Sequence, residues 1–589
     1  MTESRNKRLR RARPVLALAA AAFAVGAILG ARHSAPPSYA LADQFVTAWA
    51  HEDYVKMYSD IAASAQRSIS VSEFADAYRE ALTTATATRL RMIGSAHGIA
   101  GGEVAVPVRV DTRLFGVLSL DFALKTVVGA VTGMRIEWSR SVLFPGLRRG
   151  ELLTRRTSLP RRATLLARDG SVLAESPPGA DPVGTAETNR SSPLGAAAEA
   201  VVGAVGPAPA SRRQALEAQG VPPEASVGES GLELAFDERL RGTPGGELLA
   251  GARVLAVAVP RAAAPLRTTV SPGLQRAAVA GLGGQLGGVI VMQPAGQVLA
   301  VAGLGLDGLQ PPGSTFKMVT VTGVLKARIA SAHTVFPYAT SATLDGVKLD
   351  NSEGEECGGT LELAFAVSCN SVFTPLGVKL GASRLVATAE LLGFNHEPTI
   401  PGAAESTLPP ASEIQGELDV GSTAIGQGQV LATPLEMATV AATVADGGRR
   451  PNPSFLASPS TQARVRVMST AIAATVRRLM IGVVREGTGT SAAIPGVTVA
   501  GKTGTAELKS APTCSTSSSE SSATGNGAKE GCKGGESEAA NTDAWFAAFA
   551  PALHPQVVVC VLLVKDGFGG ATAAPVAREV IEAALQADH

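Results

Sequence analysis

The chain has 589 residues, enough for about four domains at roughly 150 residues each. Lys plus Arg number 52 against 51 Asp plus Glu, a balance that argues against a nucleic-acid binder held mainly by phosphate contacts. The 45% apolar content excludes a wholly disordered chain, and five cysteines with no C-x-x-C pair exclude a disulfide-rich scaffold.

Residues 5–13 read RNKRLRRAR, and the apolar run Val15–Ala31 follows. Its 17 residues sit at the low end of what crosses a bilayer core of about 30 Å. The expectation is a cytoplasmic basic tail (1–13), a single-pass signal anchor (14–32) and the remainder outside the cytoplasmic membrane. The alternative is a cleaved signal peptide, with Ser38-Tyr39-Ala40 as the cleavage site. Both readings export the rest.

Leu41, Phe45 and Trp49 fall on one helical face, which predicts a helix over Leu41–Ala62. Val104, Val106, Val108 and Val110 alternate as in a strand, and Leu114–Leu124 and Met134–Leu143 read as further strands. Residues 37–145 therefore read as a small α+β domain. Further on, Thr164–Ala167 and Ser171–Ala174 flank Arg168-Asp169-Gly170, a hairpin turn signal. Pro, Gly and Ala then dominate to about residue 225, which predicts an extended, loosely structured module within 146–265. From 266 to 587 short strands alternate with helical patterns, the signature of one large α/β domain. Inside it, Thr513–Asn541 is Ser- and Gly-rich and reads as an exposed flexible loop, bracketed by Cys514 and Cys532, which could bond. Cys560 lies in the run VVVCVLLV and reads as a buried thiol, while spacing alone does not assign Cys357 and Cys369.

Three motif matches fail on context. Gly303, Gly305 and Gly308 fit a dinucleotide loop, but Pro311-Pro312 breaks the helix that must follow. Gly496–Thr503 fits the Walker A pattern, but its interior favours a strand and the Ser-rich stretch follows instead of a helix. Seven scattered histidines, with no H-E-x-x-H, give no reason to expect a metal, and no cofactor is expected.

A different set carries chemistry. Ser314 opens the helical stretch Thr315–Ile329 after Pro311-Pro312-Gly313, and Lys317 lies three residues on, on the same face. A serine hydroxyl attacks only when a base takes its proton. A lysine serves as that base only when neutral, and lowering its pKa to near 7 costs roughly 4–5 kcal/mol, supplied by burial and a nearby cation. Ser368 and Asn370 follow the helical pattern TLELAFAV and can relay a proton and hold an amine. On a predicted strand, Lys502 supplies the second charge, Thr503 and Thr505 offer hydroxyls to an anion, and Gly504 lets a substrate lie against the backbone. Each motif alone is weak.

Together and in this order, S-x-x-K, S-x-N and K-T-G resemble the class B penicillin-binding proteins, the peptidoglycan D,D-transpeptidases. The surroundings PPGSTFK and GKTGTAE are similar to that family's. So are Ala424–Gly428, Thr433–Ala438, Ala544-Trp545-Phe546, Gly231-Leu232-Glu233 and Leu240–Gly245. The resemblance implies a multidomain α+β protein: a nuclear-transport-factor-2-like domain (37–145), a pedestal or dimerisation module (146–265) and a penicillin-binding transpeptidase domain (266–587). It implies Ser314 as nucleophile, Lys317 as base, Ser368 as proton relay, Asn370 as the group orienting Lys317 and the peptide, and Lys502, Thr503, Gly504 and Thr505 as the carboxylate-binding strand. It also implies lipid II-derived stem peptides as substrates, β-lactams as inhibitors and a membrane glycosyltransferase partner of the shape, elongation, division and sporulation type. One departure is Pro160-Arg161-Arg162-Ala163, where the family usually has Arg-Gly after a proline, so the tight turn that glycine permits is in doubt. No glycosyltransferase region is expected before the pedestal, and no E-x-x-x-N element that would activate deacylating water is found between Asn370 and Lys502.

Overall fold

The computed structural model describes residues 36–129, 133–177, 190–457, 464–507 and 541–587. The expected anchor, the Ser-rich loop and the Cys514–Cys532 pair lie outside the described residues. Among the described residues no helix is long and apolar enough to cross a membrane. The chain divides into two compact units. One takes residues up to Pro160 together with Ala208–Ala225 and Gly242–Ala262, and the other takes Arg161–Pro207, Ser226–Arg241 and Ala263 onward.

In the first unit, helix α1 (Pro37–Ala50) buries Phe45 and Trp49. The single long helix expected to Ala62 is broken. Glu52 takes a left-handed φ of 57°, and Asp53 caps a new helix α2 (Tyr54–Asp60) by accepting from the Lys56 amide. Helix α3 (Val71–Thr84) starts on a capping box between Ser70 and Glu73. Strand β1 (Ala87–Met92), the short β2 (His97–Gly98), β3 (Val104–Thr112) and β4 (Gly116–Leu124) form an antiparallel sheet with β3 at its centre. Val104, Val106, Val108 and Val110 all face the core, as their alternation predicts. The strand expected over Met134–Leu143 is only Met134–Ile136, followed by a 3-10 turn at Arg140–Val142. A second sheet of this unit has Gly245–Ala250 between Leu153–Ser158 and Arg253–Ala258.

In the second unit, Leu165–Leu166 and Val172–Ala174 pair as the Asp169-Gly170 turn predicts, with Gly170 at φ 88°. The Ala-rich stretch before residue 225 is more ordered than expected. It forms the helices Ala196–Val202 in this unit and Ala210–Ala218 in the first, because alanine without aromatics still favours a helix. Arg161–Ala163 needs no left-handed turn. Instead Arg162 pairs with Glu233 at 2.5 Å and Asp237 at 2.9 Å, while Arg190 pairs with Glu233 and Arg241 with Asp237.

The largest sheet of this unit corrects the α/β expectation. Helix α4 (Pro272–Leu282) precedes β5 (Gly287–Met292) and β6 (Val298–Gly303). Helices α5 (Lys317–Lys326), α6 (Leu361–Ala366), α7 (Asn370–Leu380), α8 (Pro434–Ala445) and α9 (Thr470–Glu486) come next. Strands β7 (Ala500–Glu507), β8 (Thr542–Ala550) and β9 (Val557–Leu563) and helix α10 (Ala573–Ala587) close the chain. The strand order is β6-β5-β9-β8-β7, and every neighbouring pair is antiparallel. No two neighbouring strands of it run parallel, so the domain is α+β. Helices α4 and α10 cover one face, with Leu274, Ala577 and Ile581 against Val289, Phe546 and Val561. The other face packs Ile290, Trp545 and Cys560 into the core that holds Phe316, Phe365 and Met437. Covering both faces explains the unbroken apolar runs, and it buries Cys560 as expected.

Candidate active site

The serine turn is built first. Gly313–Phe316 forms a 3-10 turn, and the α-helix begins at Lys317 rather than at Thr315. Gly313 has φ 50°, and its amide donates to the Gly426 carbonyl at 3.0 Å. Thr315 Oγ1 donates back to Pro312 O at 2.6 Å, which closes the turn on itself. Gly426, at φ 73°, and Ala424, whose carbonyl accepts from Thr320 Oγ1 at 2.6 Å, fix the turn from beneath.

The second motif hangs from the end of α6. Ser368 adopts a left-handed φ of 61°, a conformation that costs of order 1 kcal/mol or more for a residue with a Cβ. Several bonds over-determine it. Lys317 Nζ donates to Ser368 O at 2.6 Å, Asn370 Nδ2 donates to Asp350 O at 3.0 Å, and Asn351 Oδ1 accepts from the Ser371 amide at 2.8 Å. A disulfide also joins Cys357 to Cys369, the residue between the two motif positions. Sequence spacing left these cysteines unassigned. The strand ending in Cys357–Thr360 folds back beside α6 and brings their Cα atoms to 5.8 Å.

Strand β7 sits at the sheet edge and delivers Lys502 and Gly504 to one face, Thr503 and Thr505 to the other. The Gly504 position touches the serine turn: a Cβ there would lie 2.7 Å from Pro312 O and 3.0 Å from Thr315 Cγ2. A Cβ on Gly313 would meet Thr505 O at 2.6 Å. Thus the backbone flanking Ser314 lies directly against Gly504 and Thr505.

The polar network links three of the expected residues, Ser368, Asn370 and Thr503, through two lysines. Lys317 Nζ reaches Asn370 Oδ1 at 2.6 Å and Ser368 Oγ at 3.3 Å. Lys502 Nζ reaches Ser368 Oγ at 2.9 Å, Thr503 O at 3.1 Å and Thr503 Oγ1 at 3.4 Å. The Ser368 hydroxyl therefore lies within hydrogen-bond reach of both amines. Both lysines are fully buried, and neither has a carboxylate partner among the described residues. The Phe373 ring lies 5.5 Å from Lys317 Nζ and the Phe365 ring 5.6 Å from Lys502 Nζ. Burial, and after it the charge of Lys502, holds the Lys317 amine well below the usual lysine range. Burial brings Lys502 down to about 7. Ser314 Oγ makes no hydrogen bond to a described residue, and Gly569 N donates to Thr505 Oγ1 at 3.4 Å.

Sequence reasoning missed two contributors. Asp350 lends a carbonyl to Asn370, and Thr488 places its hydroxyl 2.5 Å from that of Thr503. Thr488 belongs to no motif, although Gly487 and Gly489 beside it signal a close backbone approach.

The arrangement has known counterparts. Residues 287–582, half of the chain, match the penicillin-binding protein transpeptidase domain. This chain belongs to that family. Residues 178–252 match the penicillin-binding protein dimerisation domain, and residues 38–151 the NTF2-like N-terminal transpeptidase domain. The chain is 36% identical over 303 residues to peptidoglycan D,D-transpeptidase PbpA of Mycobacterium tuberculosis, covering 47% of this chain and 55% of that protein. It is 35% identical over 308 residues to the PbpA of Mycolicibacterium smegmatis, with the same coverage. The chain thus spans about half the length of the curated relatives it matches. Among solved structures, PBPA of M. tuberculosis is 27% identical at a TM-score of 0.54, covering 72% of this chain and 100% of that one. The penicillin G acyl-enzyme of the same protein is 28% identical at a TM-score of 0.55, with the same coverage. The fold class read from the sequence is thereby supported in its NTF2-like, dimerisation and transpeptidase parts.

Proposed function

We propose that this protein is a serine D,D-transpeptidase that crosslinks peptidoglycan stem peptides and is acylated by β-lactams. The observation that carries the reading is the pair of buried lysines converging on Ser368 Oγ beside the Ser314 turn. A pair of amines 2.9 and 3.3 Å from one hydroxyl cannot both stay charged at low cost. One becomes a base; the other keeps its charge to meet an anion.

In this reading Ser314 Oγ attacks the carbonyl of the penultimate D-Ala, and its proton passes to neutral Lys317. The developing oxyanion sits between the backbone N–H groups of Ser314 and Thr505. Lys502, Thr503 and Thr505 take the terminal carboxylate, while Gly504, expected to clear space for the peptide, instead makes room for the serine turn. The Ser368 hydroxyl hands its proton to the departing D-Ala nitrogen and regains one from the lysines. An amine from a second stem then attacks the Ser314 ester, and the proton it loses returns along the same path. Asn370 holds Lys317 in place for both half-reactions.

The basic residues 5–13 and the run Val15–Ala31 support tethering to the cell membrane by one span, with the catalytic domain outside the cytoplasm. The family resemblance supports a membrane glycosyltransferase as the partner that supplies the glycan strands.

Labelling with a fluorescent penicillin tests the reading. We expect one covalent adduct, mapped to Ser314 by peptide mass spectrometry, absent from Ser314→Ala and persisting for minutes or longer. An adduct half-life of seconds makes the protein a penicillin hydrolase instead, and labelling that survives Ser314→Ala removes the proposed nucleophile.

A further inference from the structure

We propose that Thr488 is a positioning residue for carboxylate recognition: its hydroxyl orients that of Thr503 toward the anionic end of the acyl donor. The inference rests on the functional reading above.

The argument is a proton count. A threonine hydroxyl carries one proton and accepts two hydrogen bonds, whereas a carboxylate only accepts. Thr503 binds a carboxylate only when its single proton points into the cleft. Its oxygen must then be supplied with donors from behind. Lys502 Nζ provides one, at 3.4 Å. The 2.5 Å contact between the two hydroxyls admits either as donor, and we assign its proton to Thr488, which then provides the other. Among the described residues the competing acceptor for the Thr488 proton is Ala366 O, at 3.5 Å, so the short contact to Thr503 is preferred. With both lone pairs of Thr503 filled, its proton is left for the ligand.

The position of Thr488 is itself tightly set. The Thr488 amide donates to Ala366 O at 3.1 Å, at the end of α6 just before Ser368. A Cβ on Gly487 would clash with that same carbonyl, and a Cβ on Gly570 would clash with the Thr488 carbonyl. The turn Gly487-Thr488-Gly489 is thereby clamped between the loop carrying Ser368 and the loop following β9. Thr503 is buried, whereas Thr488 is exposed, so the variants below disturb no packed core.

The test compares benzylpenicillin with its methyl ester, which keeps the β-lactam and removes the anion. Second-order acylation constants are measured for the wild type, Thr488→Val and Thr488→Ser, with adducts mapped to Ser314. We expect Thr488→Val to lose on the order of tenfold with the acid, the scale of one hydrogen bond to a charged group, and less than about twofold with the ester. Thr488→Ser restores the acid rate to within about twofold of wild type, because the hydroxyl alone is needed. Equal losses for acid and ester show a merely structural role and overturn the proposal, as does an acid rate unchanged in Thr488→Val or unrescued in Thr488→Ser. Failure of the wild type to acylate at Ser314 with either compound refutes the functional reading, and this inference with it. Wild-type acylation with no acid-selective loss refutes this inference alone.

Discussion

Gly504→Ala is a severe test of whether the serine turn and β7 form one site. The added Cβ would lie 2.7 Å from Pro312 O, 2.9 Å from Trp545 Cβ and 3.0 Å from Thr315 Cγ2, against an ordinary contact of 3.4 Å. The largest shortfall is therefore about 0.7 Å. Trp545 is fully buried in the central sheet and cannot retreat. Thr315 is tied to Pro312 O, so the two move together. The yielding part is the Pro312–Thr315 turn, and Ser314 moves with it. Overpacking of this size costs about 1–3 kcal/mol of stability. Misplacing a nucleophile by about 1 Å costs on the order of a hundredfold in rate, so a shift of this size predicts a loss between about tenfold and about a hundredfold. Stopped-flow acylation with a fluorescent penicillin and thermal unfolding measure both quantities. Gly273→Ala is the control, since a Cβ there meets nothing within 4 Å and replaces a helical glycine. Gly504→Ala that acylates at the wild-type rate would refute the contact on which the site is built.

Two further perturbations follow from the charges. The competent pair has Lys317 neutral and Lys502 charged, so acylation by benzylpenicillin should follow a bell-shaped pH profile whose falling limb starts near the Lys502 value of about 7; a flat profile from pH 5 to 10 contradicts the assignment. Both amines are depressed bases, so above about 7 the unfolded chain binds more protons than the native one, and stability rises with pH from there toward the ordinary lysine range near 10.4. Chemical denaturation should show this slope in the wild type, and a smaller one in Lys502→Met. Arg162→Met should destabilise by about 3–5 kcal/mol, because Glu233, fully buried, and Asp237 each lose a cation; a loss under about 1 kcal/mol in denaturant titration would show that Arg190 and Arg241 suffice.

What the sequence revealed follows the range of each interaction. Ser314 and Lys317 were legible because a helical turn fixes their relation locally. Val104 to Val110 were legible because a half-buried strand repeats every two residues. The sheet was misread because its neighbours β5 and β9 lie more than 250 positions apart in the chain, and burial on both faces erased the alternation that marks antiparallel strands. The apolar spacing over-extends the first helix because nothing in it reports Glu52 turning left-handed. Arg162 was noticed only as a missing glycine. Its role depends on Glu233 and Asp237, some 70 residues away. The Cys357–Cys369 bond and the Thr488–Thr503 contact are likewise set by folded geometry, which spacing does not encode.

On the function proposed above, the same proton inventory favours an amine over water in the second half-reaction. Once Ser314 is acylated, the site holds two buried amines and the Ser368 hydroxyl, with no carboxylate partner to either amine among the described residues. Lys317 is kept from full basicity by burial and by Lys502. A weak base of that kind suffices for an incoming amine, which is nucleophilic once it has entered as the free base and then needs only to shed one proton after attack. Water needs its proton removed during attack. Introducing a carboxylate beside the pair would also raise both amines by opposite charge and turn them back into ammonium ions. Loss of acylation and gain of hydrolysis are therefore coupled at this site: the electrostatics that make Lys317 a base in the first step leave no stronger base for water in the second.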